Sequence, residues 1–332
     1  MGSKIGEILE PKEISLDALS GKIVAVDAYI TLYQFLSTIR QPDGTPLKDS
    51  SGRTTSHLSG LIYRTATLME QGIKFVFVFD GKPTELKAKE LKNRSERRAQ
   101  AMRKWEEAKV LFPEEAFKYA QASSKVDKAI VEDAKTLLAY LGIPCLQAPS
   151  EGEAQAAYMA QKGDAELVSS QDYDSLLFGA PAMIRNLTAP RKKTKLEVIE
   201  LKKLEEKHGI TREQLVDIAI LVGSDFNPGI KGIGVKTALK LIKKHHDIEK
   251  LMAQSEIGKK EGIEDYALVR DIFLHPDVNR SYELKWANPD EGKVKEFLCE
   301  EHDFSATRVS KALEKISRSK SDVPQQKIGQ WL

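Results

Sequence analysis

Seven carboxylates stand where an apolar run has just ended. Asp27 closes "KIVAVD", Asp80 closes "KFVFVFD", and Asp172 and Asp174 follow "ELVSSQ". Glu151 and Glu153 lie in "PSEGEAQAA", just past "IPCLQA", and Asp225 follows "LVDIAILVGS". Asp172 and Asp174 flank one tyrosine, Tyr173, and two ionised carboxylates at that spacing repel. An acidic cluster of this kind is stable only beside cations. Hard oxygen donors that leave room for water suit Mg²⁺ or Mn²⁺. Taken singly, each acid has a plainer reading. Asp80-Gly81 suits a turn, and so does Asp225 ahead of Asn227-Pro228-Gly229. Ser150 and Glu153 match a capping box, and Glu151 suits the first turn of a helix. The plainer readings do not explain why all seven fall at such positions.

The surrounding elements supply a common edge. Lys22–Ala28 and Lys74–Gly81 read as buried strands, "IPCLQAPS" and "ELVSSQD" as two more, and "MIRNL" and "LEVIE" as shorter ones. Helical patterns such as "HLSGLIYRTATLMEQG" and "IVEDAKTLLAYLG" intervene. Alternation of this type predicts an α/β fold with a largely parallel central sheet flanked by helices. In such a sheet, ligands bind outside the carboxyl ends of the strands, where these acids fall. Thr84 to about Ala120 is charged and poor in β formers, and is expected to form a helical insertion rising over the sheet. From Gly209 onward the pattern is mostly helical. The polar stretch from about Ser317, "SRSKSD", is expected to be mobile.

Composition excludes several classes. A chain of 332 residues, 41% hydrophobic and 30% charged, buries a large core and stays soluble. No signal peptide is expected from its first residues, and no apolar run is long enough to cross a bilayer. Two cysteines, Cys145 and Cys299, make no disulfide framework. The net charge of +2 hides local bias. Lys82–Lys109 holds ten basic residues against five acids, Ile230–His246 five lysines and no acid, and Pro190–Lys195 four cations. One such run is usually a solvated face; three beside an acidic cluster point to nucleic acid.

With these residues in view, the chain resembles the flap endonucleases, structure-specific 5′ nucleases of replication and repair, in an archaeal form. The resemblance runs over nearly the whole chain. It rests on "VAVDAYITLYQFL", "FVFDGKPTELK", "RSERRA", "APSEGEAQAAYMA", "QDYDSLLFG", "VGSDFNPGIKGIG" and "QQKIGQWL". It implies that the seven acids bind two divalent metals, with Mg²⁺ replaceable by Mn²⁺. It implies hydrolysis of a phosphodiester to a 5′-phosphate and a 3′-hydroxyl. Lys87 and Arg94 are seven residues apart, two helical turns, and so share a face. They match the basic pair at the base of the family's arch, which reaches the scissile phosphate. Tyr33 matches an aromatic that stacks on a base there, and Thr55, in "TTSHLSG", a contact to a short 3′ flap. Gly232 and Gly234 stand ahead of a basic amphipathic stretch with Lys236 and Lys240. The resemblance makes this a helix–two-turn–helix gripping duplex backbone with help from K⁺. Some relatives carry a hydroxyl ligand where this chain has Gly229.

The terminal "QQKIGQWL" fits a box that docks on the replication sliding clamp, through Gln325, Ile328, Trp331 and Leu332; many relatives end the box with two aromatics, and Leu332 departs from that. The expected divisions are 1–98 and 116–258 as two nuclease halves, the arch at about 84–120 and the helix–two-turn–helix at about 209–250. A helical region at 259–322 and the tail at 323–332 complete the chain. The expected activity is Mg²⁺-dependent cutting of branched DNA bearing a 5′ flap, with 5′-3′ exonuclease activity, by a monomer not bound to membranes. The absence of a basic extension past the clamp box suggests an archaeal cytoplasm, at the nucleoid, rather than a nucleus. Two alternatives are a related repair or recombination 5′ nuclease and a non-catalytic, clamp-tethered DNA-binding adaptor.

Overall fold

A computed structural model describes residues 3–111, 113–189, 194–255, 257 and 263–321, without side chains at 89, 109–111, 113–115 and 319–321. One sheet organises it. Its strands are β1 (Lys12–Ile14), β2 (Ile23–Asp27), β3 (Lys74–Phe79), β4 (Cys145–Gln147), β5 (Leu167–Ser169), β6 (Ala182–Arg185) and β7 (Leu196–Glu200). They lie in the order β1-β7-β6-β5-β2-β3-β4. Pairing is parallel from β6 across to β4, and antiparallel where β7 joins β6 and β1. The sheet is thus largely parallel, as expected, with an antiparallel edge that the sequence pattern did not announce. The segment "KEI" is too short and charged to read as a strand; it forms because Lys12, Glu13 and Ile14 pair with Val198, Glu197 and Leu196.

The central strands are apolar on both faces because both faces are covered. Val24, Val26, Phe75, Phe77 and Phe79 pack into one layer, with Leu32, Phe35, Leu137, Leu313 and Ile316 from helices Ala28–Thr38, Lys128–Tyr140 and Ala306–Ser321. The alternate residues Ala25, Val76, Val78 and Val168 pack into the other, against Ala156, Met159, Ile218 and Ile242 from helices Gly152–Lys162, Arg212–Val222 and Val235–His245. Emptying a fully buried position such as Phe77 would cost about 3–5 kcal/mol.

The charged insertion is helical, as its composition predicts. A short turn at Glu85–Lys87 leads into helices Ala88–Leu111 and Pro113–Ala122. These pack on each other through Trp105, Ala108, Ala116 and Ala120. The later chain adds two details. The segment "SRSKSD" is helical over its described part: it ends helix Ala306–Ser321, whose buried residues Val309, Ala312, Leu313 and Ile316 all precede it. After Gly209 the described chain is mostly helical, as expected, with one exception. Residues 275–290 run as an irregular strap. Buried Gln155 holds it by accepting from the Asn279 N–H at 2.7 Å and donating to the Asn279 carbonyl at 2.9 Å. Among the described residues, no helix is long and apolar enough to cross a membrane.

Candidate active site

Strands β5, β2, β3 and β4 are adjacent and parallel, so their carboxyl ends share one edge. The register pairs Ser169 with Val26, Asp27 with Val78, and Phe79 with Gln147. Neighbouring strands lie about 4.8 Å apart. The residues just past them, Asp172 and Asp174, then Asp27, then Asp80, then Glu151 and Glu153, therefore form a row. Asp225 enters from the loop after helix Arg212–Val222. That loop is tied by the Ser224 hydroxyl, which lies 2.8 Å from Asn227 Oδ1, and by Asn227 Nδ2 donating to the Ile220 carbonyl at 2.8 Å.

Each acid has a local anchor. Asp27 caps helix Ala28–Thr38, accepting from the Ile30 N–H at 3.0 Å. Asp80 accepts the Gly152 N–H at 2.6 Å. The Ser170 hydroxyl donates to Glu153, and the Asp172 N–H donates to Ser170 Oγ at 3.1 Å. Asp174 Oδ1 accepts both the backbone N–H and the hydroxyl of Ser3, at 2.7 and 2.5 Å. The capping box expected of Ser150 and Glu153 is not formed. Helix Gly152–Lys162 starts one residue later, with Glu151 as its N-cap and no side-chain capping bond. Ser150 Oγ and Glu153 Oε1 are buried without a hydrogen-bond partner. That shift turns Glu153 toward the other acids instead of back onto the helix.

Electrostatics follow from the crowding. Burial pushes Asp27 well above the usual carboxylate range, and Asp80 and Asp172 push the same way. Burial likewise raises Glu153, reinforced by Asp174, Asp27 and Asp172. Asp174 rises to about 6, from burial first and Asp225 second, against the pull of the Ser3 bonds. Burial also raises Asp80 and Glu151, with Lys87 partly offsetting it. The cations respond in the opposite sense. Burial alone would lower Lys87, but Glu151 and Asp80 outweigh it and hold the ammonium above the usual lysine range. Lys87 Nζ bonds Glu151. Arg94 Nη2 reaches Asp225 Oδ2 at 2.5 Å, and Arg94 Nε reaches Glu90 at 3.1 Å. The two basic residues expected on one helical face thus meet two different acids of the row.

Among the described residues, no three His, Cys, Asp or Glu side chains stand as a ready set of ligands to one ion. The donors nonetheless fit hard divalent cations. They are carboxylate oxygens, held in mutual repulsion, with the unpartnered Glu153 Oε1 among them. A Mg²⁺-like ion keeps several waters and needs only one or two carboxylates directly.

The remaining expected residues are spread out. Tyr33 is exposed on helix Ala28–Thr38, six residues past Asp27, with its hydroxyl 3.5 Å from the Gln121 carbonyl at the end of the insertion. Thr55 is buried, its N–H bonded to the Leu47 carbonyl. The sequence carries no sign of which way this small polar side chain faces. Gly232, at φ +87°, and Gly234 have open space where a side chain would start. They line a cleft of about 500 Å³ with Lys4 and Glu7. Lys236 and Lys240 are exposed on helix Val235–His245. Gln325, Ile328, Trp331 and Leu332 lie outside the described residues, as do Pro190–Lys193 of the third basic run. Ser3 gave no signal in the sequence, for nothing in "MGSKIG" points to an aspartate 171 residues away.

Comparison with known proteins identifies the family. The XPG N-terminal domain matches residues 3–101 and the XPG I-region residues 142–225. Flap endonuclease 1 of Methanocella arvoryzae is 52% identical over 342 residues, with all of both chains covered. That of Pyrococcus furiosus is 50% identical over 344 residues, covering 100% of this chain and 99% of the relative. The solved flap endonuclease-1 from Methanococcus jannaschii superposes with a TM-score of 0.78 at 40% identity, over 96% of this chain and 99% of that one. The catalytic core of Rad2 in complex with DNA substrate shares the fold at a TM-score of 0.71 and 24% identity, over 94% of this chain and 97% of that one. The chain therefore belongs to the flap endonucleases, metal-dependent, structure-specific 5′ flap nucleases that hydrolyse phosphodiester bonds.

Proposed function

We propose that Asp27, Asp80, Glu151, Glu153, Asp172, Asp174 and Asp225 together hold two divalent cations, Mg²⁺ with Mn²⁺ as a substitute. With them the chain cuts DNA at the junction of a 5′ flap and duplex, and trims 5′ ends as an exonuclease, in Okazaki-fragment maturation and repair. The observation that carries this reading is the row of carboxylates at four parallel strand ends, met by Lys87 and Arg94. Held by these carboxylates, divalent ions would supply activation of a water and charge stabilisation for the leaving oxygen of an in-line displacement. The protein's own part is positioning and charge. Lys87 and Arg94, paired here with Glu151 and Asp225, turn to the scissile phosphate when DNA arrives and offset the charge that develops on it. Tyr33, exposed beside the insertion, offers a face to an unpaired base.

Grip on the duplex falls to the Gly232–Gly234 turn and to Lys236 and Lys240. A K⁺ at that element would take no side-chain hydroxyl from position 229, where Gly229 has φ +73° and a Cβ would fall 2.4 Å from Gly223 N. A short 3′ flap meets Thr55 only if that buried residue becomes exposed. The tail residues Gln325, Ile328, Trp331 and Leu332 tether the enzyme, as a monomer in an archaeal cytoplasm at the nucleoid, to the sliding clamp. The test is incubation of end-labelled 5′-flap DNA with Mg²⁺ and with chelator, reading product lengths. One Mg²⁺-dependent cut at the junction is expected. Binding without any cut would favour the adaptor reading.

A further inference from the structure

The segment Ser3–Leu9 does more than begin the chain. Ile5, Ile8 and Leu9 are buried in the same core as the strand ends of the site. A Cβ at Gly6 would stand 3.1 Å from the ring of Tyr173, so the segment packs directly on the residue between Asp172 and Asp174. Arg185 holds Tyr173 as well, donating to its hydroxyl at 2.8 Å, with the guanidinium 4.8 Å from the ring centre. Ser3 is itself 3% exposed. Its N–H and its hydroxyl both donate to Oδ1 of Asp174, and neither bond engages Oδ2. Hydrogen bonds to a carboxylate are short and strong, and a pair on one oxygen fixes the rotation of the group.

Resting on the metal-site reading above, we infer that Ser3 is a positioning residue. Its hydroxyl locks the Asp174 carboxylate so that Oδ2 is presented to a divalent cation. Partners of this kind, one bond removed from a metal, typically carry about 10–100-fold in metal affinity or activity. Ser3→Ala removes the hydroxyl and keeps the backbone donor, so the lower end of that range is the expectation. Ser3→Thr keeps the hydroxyl.

The experiment is direct titration of Mn²⁺ into DNA-free protein by calorimetry, for the parent, Ser3→Ala, Ser3→Thr, Asp174→Ala and the Ser3→Ala/Asp174→Ala double variant. Thermal unfolding of each serves as the folding control. Ser3→Ala should weaken Mn²⁺ binding about 10-fold and Ser3→Thr should restore most of it. In the Asp174→Ala background the serine change should have no further effect, because its route to the metal is gone. Parent-like Mn²⁺ binding by Ser3→Ala would overturn the inference. So would additive losses in the double variant, which would make Ser3 merely structural. If instead Asp174→Ala binds Mn²⁺ as tightly as the parent, the metal assignment itself fails, and the two failures are told apart.

Discussion

At the scale of single residues, the site is a balance between burial and charge. On the two-metal proposal, Asp172 and Asp174 sit two apart because each serves as an oxygen donor, and bound cations relieve their repulsion. Replacing either with Ala should abolish flap cutting while DNA binding survives or tightens, as negative charge is removed from the path of the backbone. Near-normal cleavage by Asp174→Ala at saturating Mg²⁺ would sink the two-metal proposal. The same balance sets a pH dependence. In the fold the Asp174 carboxyl rises to about 6 from its ordinary value of 3.8. The native state therefore binds more protons than the unfolded chain in that window, and stability is lost as pH rises through it. Asn at 174 mimics the neutral form. With chelator present, Asp174→Asn should be more stable than the parent. The gap should open between about pH 4 and pH 6 and reach the order of 3 kcal/mol, since one pKa unit is about 1.4 kcal/mol. Denaturant melts of both proteins at three pH values would check this, and a gap that shrinks with rising pH would contradict it.

Among elements, chemistry and grip are assigned to different helices. Lys87 and Arg94 belong to the charged insertion and reach the acids; Lys236 and Lys240 stand exposed on helix Val235–His245. Lys87→Ala and Arg94→Ala should slow single-turnover cleavage by about 10²–10³-fold, the usual loss for one preorganised charge, with little change in flap affinity. Lys236→Ala and Lys240→Ala should weaken binding and flatten its salt dependence, by about one unit of slope for each phosphate no longer neutralised. Paired binding and single-turnover assays would separate the two sets, and exchanged phenotypes would overturn the division. The insertion's own small core, Trp105 with Ala108, Ala116 and Ala120, gives its two helices a fixed mutual packing. The cations are thus delivered from a braced pair of helices.

For the whole molecule, one sheet unites strands drawn from both expected nuclease halves, with β2 and β3 between β5 and β4. The site therefore forms only when strands of both halves pair in the sheet. The tail is a separate matter. Ile328, Trp331 and Leu332 follow a polar stretch, and the spacing of Ile328 and Trp331 suits one helical turn entering a groove. A tether of this kind raises local concentration at the clamp without touching the active site. Deleting Gln325–Leu332 should leave cleavage of naked flap DNA unchanged and abolish stimulation by the cognate clamp. Equal stimulation of full-length and truncated protein would show that the tether lies elsewhere.

What the sequence by itself determined is whatever a local pattern encodes. The apolar runs marked the central strands, and the acids at their ends marked the edge where a site forms. The seven-residue spacing predicted a shared helical face for Lys87 and Arg94; Lys87 ends the turn Glu85–Lys87 and Arg94 lies in helix Ala88–Leu111, and both reach the acids. Tertiary structure decided which acids those cations meet, across 64 residues for Lys87–Glu151 and 131 for Arg94–Asp225. It also turned Thr55 inward, started helix Gly152–Lys162 one residue past the apparent capping box, and brought Ser3 to Asp174. The physical reason is the same in each case. Periods of about 2 and 3.6 residues report which face of an element is apolar. The order of strands in the sheet, and hence which side chains become neighbours, is set by packing between segments far apart in the chain, and no local period carries it.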